Sequence, residues 1–180
     1  MVIILQFLYQ TKNRNFPRMK QKSIQEYMVG NVCFGCGKEN HDGLQIDSYW
    51  QDDNETVCVW QSEPKYQGWK GILNGGILAS LIDCHCMGTA LAATYHSEGR
   101  GLDTEPTYHY ATGTMSIKYL LPTSNDKPIE LRAKAVEIKG KKVTVHCNVW
   151  SEGRKTAEAE VIAIRVFDSS KKTDTPFARG

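Results

Sequence analysis

The segment from Gly75 to Tyr95 constrains the fold more than any other part of the chain. It reads GGILASLIDCHCMGTALAATY, and two of its side chains, Asp83 and His85, are a carboxylate and an imidazole. The run is too long for a strand, and apolar residues surround the helical wheel on nearly all sides, which predicts a buried central helix. A membrane span has the same length, but Asp83 and His85 near its middle argue against one.

Most other patterned segments alternate between apolar and polar residues, as strands do. Residues 44–49 and Glu55–Gln61 predict a hairpin with its turn at residues 52–54. A polar loop is expected at residues 96–111. Four further strand-like runs follow it, at residues 112–121, 129–138, 142–151 and 155–167. Short turn sequences separate the last three runs, which predicts an antiparallel meander.

The element order β-β-α-β-β-β-β predicts the α+β class. Because the helix is the only element able to cover a face of the sheet, we expect a curved antiparallel sheet wrapped around one long central helix. The expected domain spans residues 31–168 and is followed by a flexible tail at 169–180. Residues 1–30 are expected to form an appendage with a short amphipathic helix at Ser23–Met28, where Ser23 and Glu26 fit a capping box. Residues 1–18 are expected to be dispensable.

Composition excludes several classes of protein. Of 180 residues, 41% are hydrophobic and 23% charged, as in globular proteins, and the net charge of +2 is too small to indicate nucleic-acid binding. The opening MVIILQFLYQ has no preceding basic residue and no small-residue cleavage site after it, unlike a secretory leader. We therefore expect a cytoplasmic protein that binds neither nucleic acid nor membrane, with its six cysteines as free thiols.

The cysteines do not predict a metal site. Cys33 and Cys36 could form half of a zinc site, but no second CxxC pair follows, and His41 is the only nearby partner in sequence. Cys84, His85 and Cys86 are adjacent on the predicted helix, where successive side chains diverge by about 100° and cannot bind one ion together. A redox role for the CxxC pair lacks the βαβ context of thioredoxin-like proteins. We expect no metal.

Asp83 is the strongest catalytic candidate. An unpaired carboxylate on an apolar helix costs several kcal/mol unless it is hydrogen-bonded or neutral. Burial also raises the pKa of a carboxyl group, which suits a general base. The alternative is that Asp83 faces a wet cleft or caps neighbouring backbone.

Gly75 and Gly76 open the predicted helix. The first N–H groups of a helix have no internal partner and can hold a developing oxyanion, and glycine permits close approach. The alternative is a plain tight turn. Asp83 follows Gly75 by eight residues, about 12 Å along the axis at about 1.5 Å per residue. One substrate carbonyl cannot contact both, whereas a second, antiparallel copy of the helix would supply the missing group, which predicts a homodimer with sites at the interface.

Several motifs follow one another along the chain. They are Cys33-Phe34-Gly35-Cys36-Gly37 with Asn40 and Gly43-Leu44, Tyr66-Gln67-Gly68-Trp69 with Gly71-Ile72, Asn74-Gly75-Gly76, Leu81-Ile82-Asp83, and Thr112 to Tyr119 with Pro122. Together these motifs resemble one branch of the hotdog-fold acyl-CoA thioesterases, and most closely the phenylacetate-pathway type. They occur in the family's order and spacing across residues 31–167. The usual His before the two glycines is Asn74 here.

The resemblance implies a site and an activity. Asp83 would be the general base or the direct nucleophile, Gly75 the oxyanion donor, and Thr112 the residue that orients the carboxylate or the attacking water. The substrate would be bound by four residues at the helix entry, which are Gln67, Gly68, Asn74 and Gly76. Coenzyme A would enter as part of the substrate, no cofactor would be needed, and the assembly would be a homodimer or a dimer of dimers.

Two other functions stay open on the sequence. A hotdog dehydratase or hydratase needs a His acid/base facing a carboxylate, and only His85 is available, about 200° around the helix from Asp83. The second is a non-catalytic acyl-CoA binding module. The departures of Asn74 and Gly68 from the family's pattern favour this alternative.

Overall fold

The computed structural model describes residues 21–51 and 55–171. One α-helix, α1, spans Gly75–Ser97, and short 3-10 turns occupy Ile24–Tyr27 and Pro64–Tyr66. The strands are β1 Ser48–Trp50, β2 Glu55–Gln61, β3 Gln67–Trp69, β4 Ile72–Leu73, β5 Tyr108–Tyr119, β6 Pro128–Lys139, β7 Lys142–Ser151 and β8 Arg154–Asp168. This is the predicted α+β order with one additional small hairpin, β3-β4.

Six strands form a curved antiparallel sheet in the order β1-β2-β6-β7-β8-β5. The predicted meander is confirmed as β6-β7-β8. Strand β5 pairs with β8 alone, so it is an edge of the sheet although it is twelve residues long. The sheet wraps around α1, as the order of elements predicted.

Helix α1 forms the centre of the core. Leu81 and Ile82 are 0% exposed and pack against apolar side chains of the sheet. The helix runs two residues further than the apolar segment, to Ser97. Among the described residues it is the one helix long and apolar enough to cross a membrane, and 67% of its most apolar stretch is buried inside the fold.

The strand boundaries differ from the sequence patterns in places where side chains are buried without a strand partner. Leu44 and Ile46 are buried as predicted, but β1 begins only at Ser48. A side chain contacts the segment before β1, since the Trp60 indole N–H donates to the Leu44 carbonyl at 2.8 Å. Strand β5 begins at Tyr108, inside the predicted loop. The predicted turn at 52–54 lies outside the described residues.

The helix predicted at Ser23–Met28 is a single 3-10 turn, so that prediction is corrected. The Glu26 carboxylate accepts a hydrogen bond from the Ser23 N–H at 2.6 Å, as a capping box requires. Ile24 is 2% exposed and packs with Leu91 and Tyr95. The packed unit therefore extends into the stretch predicted as an appendage. The predictions for residues 1–18 and for the end of the tail lie outside the described residues.

His85 lies in a buried hydrogen-bonded network between α1 and the first two strands. Its Nδ1 is 2.8 Å from Ser48 Oγ, and its Nε2 is 3.4 Å from Thr56 Oγ1. The Gln25 side-chain amide also donates to Ser48 Oγ, at 3.0 Å. Burial lowers the pKa of His85 to about 4, so the imidazole is neutral in the folded protein near pH 7.

The loop at residues 33–37 packs directly on α1. The Gly37 N–H donates to the Cys33 carbonyl at 2.8 Å, which closes a tight turn. Gly35 approaches Cys84 so closely that a Cβ on Gly35 would overlap the Cys84 sulfur. The glycine at position 35 is thus required by the contact between the loop and the helix.

We predict that Gly35→Ala lowers the free energy of unfolding by about 1–3 kcal/mol, the usual cost of overpacking a filled interior. Chemical denaturation measures this. The double variant Gly35→Ala with Cys84→Ala should recover part of the loss relative to Cys84→Ala alone, because the overlapping sulfur is absent. If the losses in free energy of unfolding of Gly35→Ala and Cys84→Ala simply add in the double variant, the close contact between the two residues is contradicted.

We predict that His85 makes the fold acid-sensitive. The unfolded chain gains a proton at His85 below about pH 6.5 and the folded chain only below about 4, so the free energy of unfolding falls as the pH drops through this range. The full effect is about 3 kcal/mol. In thermal unfolding at pH 7 and pH 5, His85→Asn should show a smaller acid shift than the parent protein. The exposed His41→Asn is the control and should keep the parental shift. Equal shifts in all three proteins would contradict the assignment.

Candidate active site

Asp83 and Thr112, paired only by the resemblance, are brought together by the fold. Asp83 lies on the outward stripe of α1 and is half-buried, and Thr112 lies on the edge strand β5. The Thr112 hydroxyl donates to Asp83 Oδ1. This bond leaves the second carboxylate oxygen for a water molecule or a substrate.

A β-bulge in β5 aims Thr112 at the helix. The pairing of β5 with β8 shifts register between Thr112 and Thr114, so Gly113 is the inserted residue. A Cβ on Gly113 would lie 2.9 Å from Ile164 Cγ1, which is too close for an ordinary contact. Sequence analysis did not single out Gly113, although a glycine within a strand pattern is a known signal of a bulge.

The environment of Asp83 favours its protonated form. Burial raises the pKa of Asp83, the negative charge of Cys33 raises it further, and the Thr112 hydrogen bond opposes both effects. Hydrogen bonds from Cys36 and Cys84 lower the pKa of Cys33 and so favour its thiolate form. The Asp83 carboxylate is therefore a stronger base than an exposed aspartate.

The start of α1 is capped by its own chain. Asn74 Oδ1 accepts hydrogen bonds from the N–H groups of Gly76 at 2.8 Å and Ile77 at 3.4 Å. The cap does not include the N–H of Gly75. The Tyr119 hydroxyl donates to the Gly75 carbonyl at 2.9 Å and ties the helix start to the end of β5. Of the two N–H groups predicted here, that of Gly76 is occupied by the Asn74 cap, whereas Asn74 does not accept from that of Gly75.

Gln67 and Gly68, predicted to bind substrate, shape the entry to the helix. The Gln67 side chain accepts from the Gly71 N–H of the β3-β4 hairpin at 2.7 Å and donates to the Pro64 carbonyl of the preceding 3-10 turn at 2.8 Å, so both ends of its amide are engaged. A Cβ on Gly68 would lie 3.3 Å from Asn74 Cα. Gly68 therefore packs closely against Asn74, and Gln67 orders the hairpin that carries Gly68.

The surface around Asp83 is open in a single chain. The outward stripe of α1 carries small or polar residues at helical spacing, which are Gly76, Ala79, Ser80 and Asp83. Residues 112–116 of β5 are exposed although they follow one another along the strand. A long edge strand with exposed faces is a template for pairing with another chain.

Comparisons with known proteins show similarity to one superfamily. The family model described as the thioesterase superfamily matches residues 70–158, which include Asn74, Asp83 and Thr112. The acyl-coenzyme A thioesterase THEM4 of Bos taurus is 25% identical over 127 residues, which are 69% of this chain and 46% of that protein. The chain thus spans less than half the length of this curated relative.

Solved structures share the fold. A thioesterase superfamily protein from Shewanella loihica PV-4 is 27% identical, with a TM-score of 0.54 over 68% of this chain and 91% of that one. A hypothetical thioesterase from Streptococcus pneumoniae TIGR4, solved with coenzyme A, is 14% identical, with a TM-score of 0.56 over 68% and 90%. The PaaI protein from the phenylacetic acid degradation operon of E. coli is 13% identical, with a TM-score of 0.56 over 69% and 82%. The chain has the hotdog fold, as the resemblance to the phenylacetate type implied, and its residues 70–158 match the thioesterase superfamily.

Proposed function

We propose that the protein hydrolyses acyl-CoA thioesters to a free acid and coenzyme A. The observation that carries the proposal is the half-buried Asp83 carboxylate, of raised pKa, held by Thr112 on an open stripe of the central helix. The name of the THEM4 relative and the coenzyme A bound by the Streptococcus pneumoniae neighbour support the substrate class.

The chemistry follows from the placement of Asp83. As a general base, its free oxygen takes a proton from water while the water oxygen attacks the thioester carbonyl. The tetrahedral oxyanion then collapses, the C–S bond breaks, and the coenzyme A thiolate takes up a proton. Direct attack by Asp83 on the thioester carbonyl instead breaks the C–S bond, releases the coenzyme A thiolate and gives a mixed anhydride that water hydrolyses. Thr112 holds the carboxylate in both routes, and neither needs a cofactor beyond the coenzyme A of the substrate.

The oxyanion donor would come from a second copy of the chain. Within one helix, the Gly75 N–H and Asp83 are separated by about 12 Å along the axis, too far for one carbonyl to contact both. An antiparallel partner helix on the outward stripe brings the Gly75 N–H of one copy to the Asp83 of the other. The exposed edge strand β5 supports a homodimer, and a dimer of dimers would extend it.

The geometry gives less support to the alternatives. A hydratase needs a histidine that reaches the carboxylate, but His85 is 0% exposed and both of its ring nitrogens are engaged with Ser48 and Thr56. A purely acyl-CoA binding module would not need a basic carboxylate positioned by a threonine. Thioester hydrolysis uses both features.

We predict that Asp83→Asn lowers turnover of acyl-CoA by about 10²–10⁴, the contribution of a positioned general base. Stability should hold or rise, because a partly buried charge is removed. Release of free thiol from a set of acyl-CoA esters and the thermal midpoint are measured on the same preparation. Full activity in a well-folded Asp83→Asn protein would end the catalytic assignment.

Thr112 provides a matched pair of variants for the same prediction. Thr112→Val removes the hydrogen bond that lowers the pKa of Asp83, so the acid limb of the pH–activity profile should move to higher pH. Thr112→Ser keeps a hydroxyl and should keep the profile. An unchanged acid limb in Thr112→Val would separate Thr112 from the chemistry.

We predict that inactive variants complement each other in a shared site. Gly75→Pro removes the proposed oxyanion N–H at a helix position that accepts proline. Mixed with Asp83→Asn under conditions that exchange subunits, it should restore about one quarter of parental activity, because half of the dimers are mixed and each has one intact site.

Each variant refolded alone is the control and should stay inactive. Sedimentation shows whether the mixed species are dimers. Stable mixed dimers without recovered activity would contradict a site built from Gly75 of one copy and Asp83 of the other, while leaving the role of Asp83 itself to the Asp83→Asn assay.

A further inference from the structure

Three cysteine sulfurs converge beside the proposed active site. Cys33 and Cys36 come from the loop at residues 33–37, and Cys84 comes from α1, one residue after Asp83. Their sulfur atoms all lie within 4.8 Å of one another, and the Cys33 and Cys84 sulfurs are 3.6 Å apart. The proposed hydrolysis does not use this cluster.

The spacing of the sulfurs suits a shared metal ion. Zinc–thiolate bonds of about 2.3 Å at tetrahedral angles place two sulfurs about 3.8 Å apart. A disulfide requires about 2.05 Å, and all three cysteines are free. Thiolates are the ligands that soft ions such as Zn²⁺ and Cu⁺ prefer.

Neighbouring N–H groups point at the sulfurs, as they do around metal-bound thiolates. The Gly35 N–H donates to Cys33 Sγ at 3.4 Å, and the backbone of Cys36 also hydrogen-bonds to the Cys33 sulfur. The Asn31 side-chain amide donates to Cys36 Sγ at 3.4 Å. Such outer contacts fix the orientation of ligands and stabilise their negative charge.

Two glycines allow the loop to bring its sulfurs to the helix. A Cβ on Gly35 would overlap Cys84, and a Cβ on Gly37 would overlap the backbone at residues 31–33. Cys36 and Cys84 are 6% exposed, whereas Cys33 is at the surface. The cluster therefore has two fixed interior ligands and one accessible ligand through which an ion can enter.

We propose that Cys33, Cys36 and Cys84 form a three-thiolate site for a thiophilic metal ion, with Zn²⁺ as the first occupant to test and a fourth position open at the surface. The expectation of no metal considered only neighbours in sequence for Cys33 and Cys36. The fold supplies Cys84 from 51 residues away. The proposal is independent of the hydrolytic function.

A bound ion would tie the loop at residues 33–37 to the helix next to Asp83. Binding requires the thiols to lose their protons, so affinity should fall in acid. Because the unfolded chain lacks the preformed cluster, the ion should also raise the thermal midpoint.

The test uses the full chain, reduced and free of oxygen, with all six thiols confirmed by titration. Zinc retained through purification without chelators is counted by elemental analysis, and the metal-free protein is titrated with Co²⁺. We expect about one ion per chain and a thiolate-to-cobalt charge-transfer band with the intensity of about three thiolates. Cys33→Ala should abolish both, and because Cys33 is at the surface this variant should fold.

Cys84→Ala should likewise lose the ion, which distinguishes a three-thiolate site from a simple CxxC pair. Cys86→Ala, on the same helix but outside the cluster, is the matched control and should keep the ion and the band. No zinc and no cobalt band in the reduced parent protein would overturn the proposal. Undiminished binding in Cys33→Ala or Cys84→Ala would also overturn it.

Discussion

The burial of α1 by a single sheet is the constraint on which the rest of the structure depends. The helix is apolar around most of its circumference, but the sheet of its own chain leaves one stripe uncovered, and that stripe carries small residues and Asp83. A carboxylate can be placed there half-buried without being enclosed, which is the condition for a basic group that water still reaches. Fold and proposed chemistry thus follow from the same incomplete burial.

Two neighbouring segments contact Asp83 on this stripe or change its pKa. The bulge at Gly113 turns the Thr112 hydroxyl towards Asp83, and the loop at residues 33–37 places the charge of Cys33 close enough to raise the pKa of that carboxyl. One segment stabilises the carboxylate and the other destabilises it. Burial makes the largest contribution to the raised pKa of Asp83, and an edge strand and a glycine-rich loop that are far apart in sequence adjust that pKa in opposite directions.

The central helix, the meander and the α+β class could be predicted because each depends on local periodicity. Asp83 could be singled out as a candidate site residue because an unpaired charge on an apolar helix is costly, and this argument does not depend on the position of the sheet. The β3-β4 hairpin was missed because its strands are too short to show alternation. The remaining differences depend on the direction of individual side chains, which spacing along the chain does not show. Asn74 caps the Gly76 N–H and Gln67 bonds within its own hairpin, whereas Cys84 reaches a CxxC pair across the fold.

The cap formed by Asn74 has a consequence for the timing of substrate binding. Two of the first N–H groups of α1 are satisfied by the helix's own cap, so this end of the helix is ordered before any ligand arrives. Under the proposed function, an incoming oxyanion would meet a donor whose direction is already set. No free energy of binding is then diverted into ordering the helix terminus. The geometry of residues 74–77 should be the same in the free protein and in every complex, whatever acyl group the protein accepts.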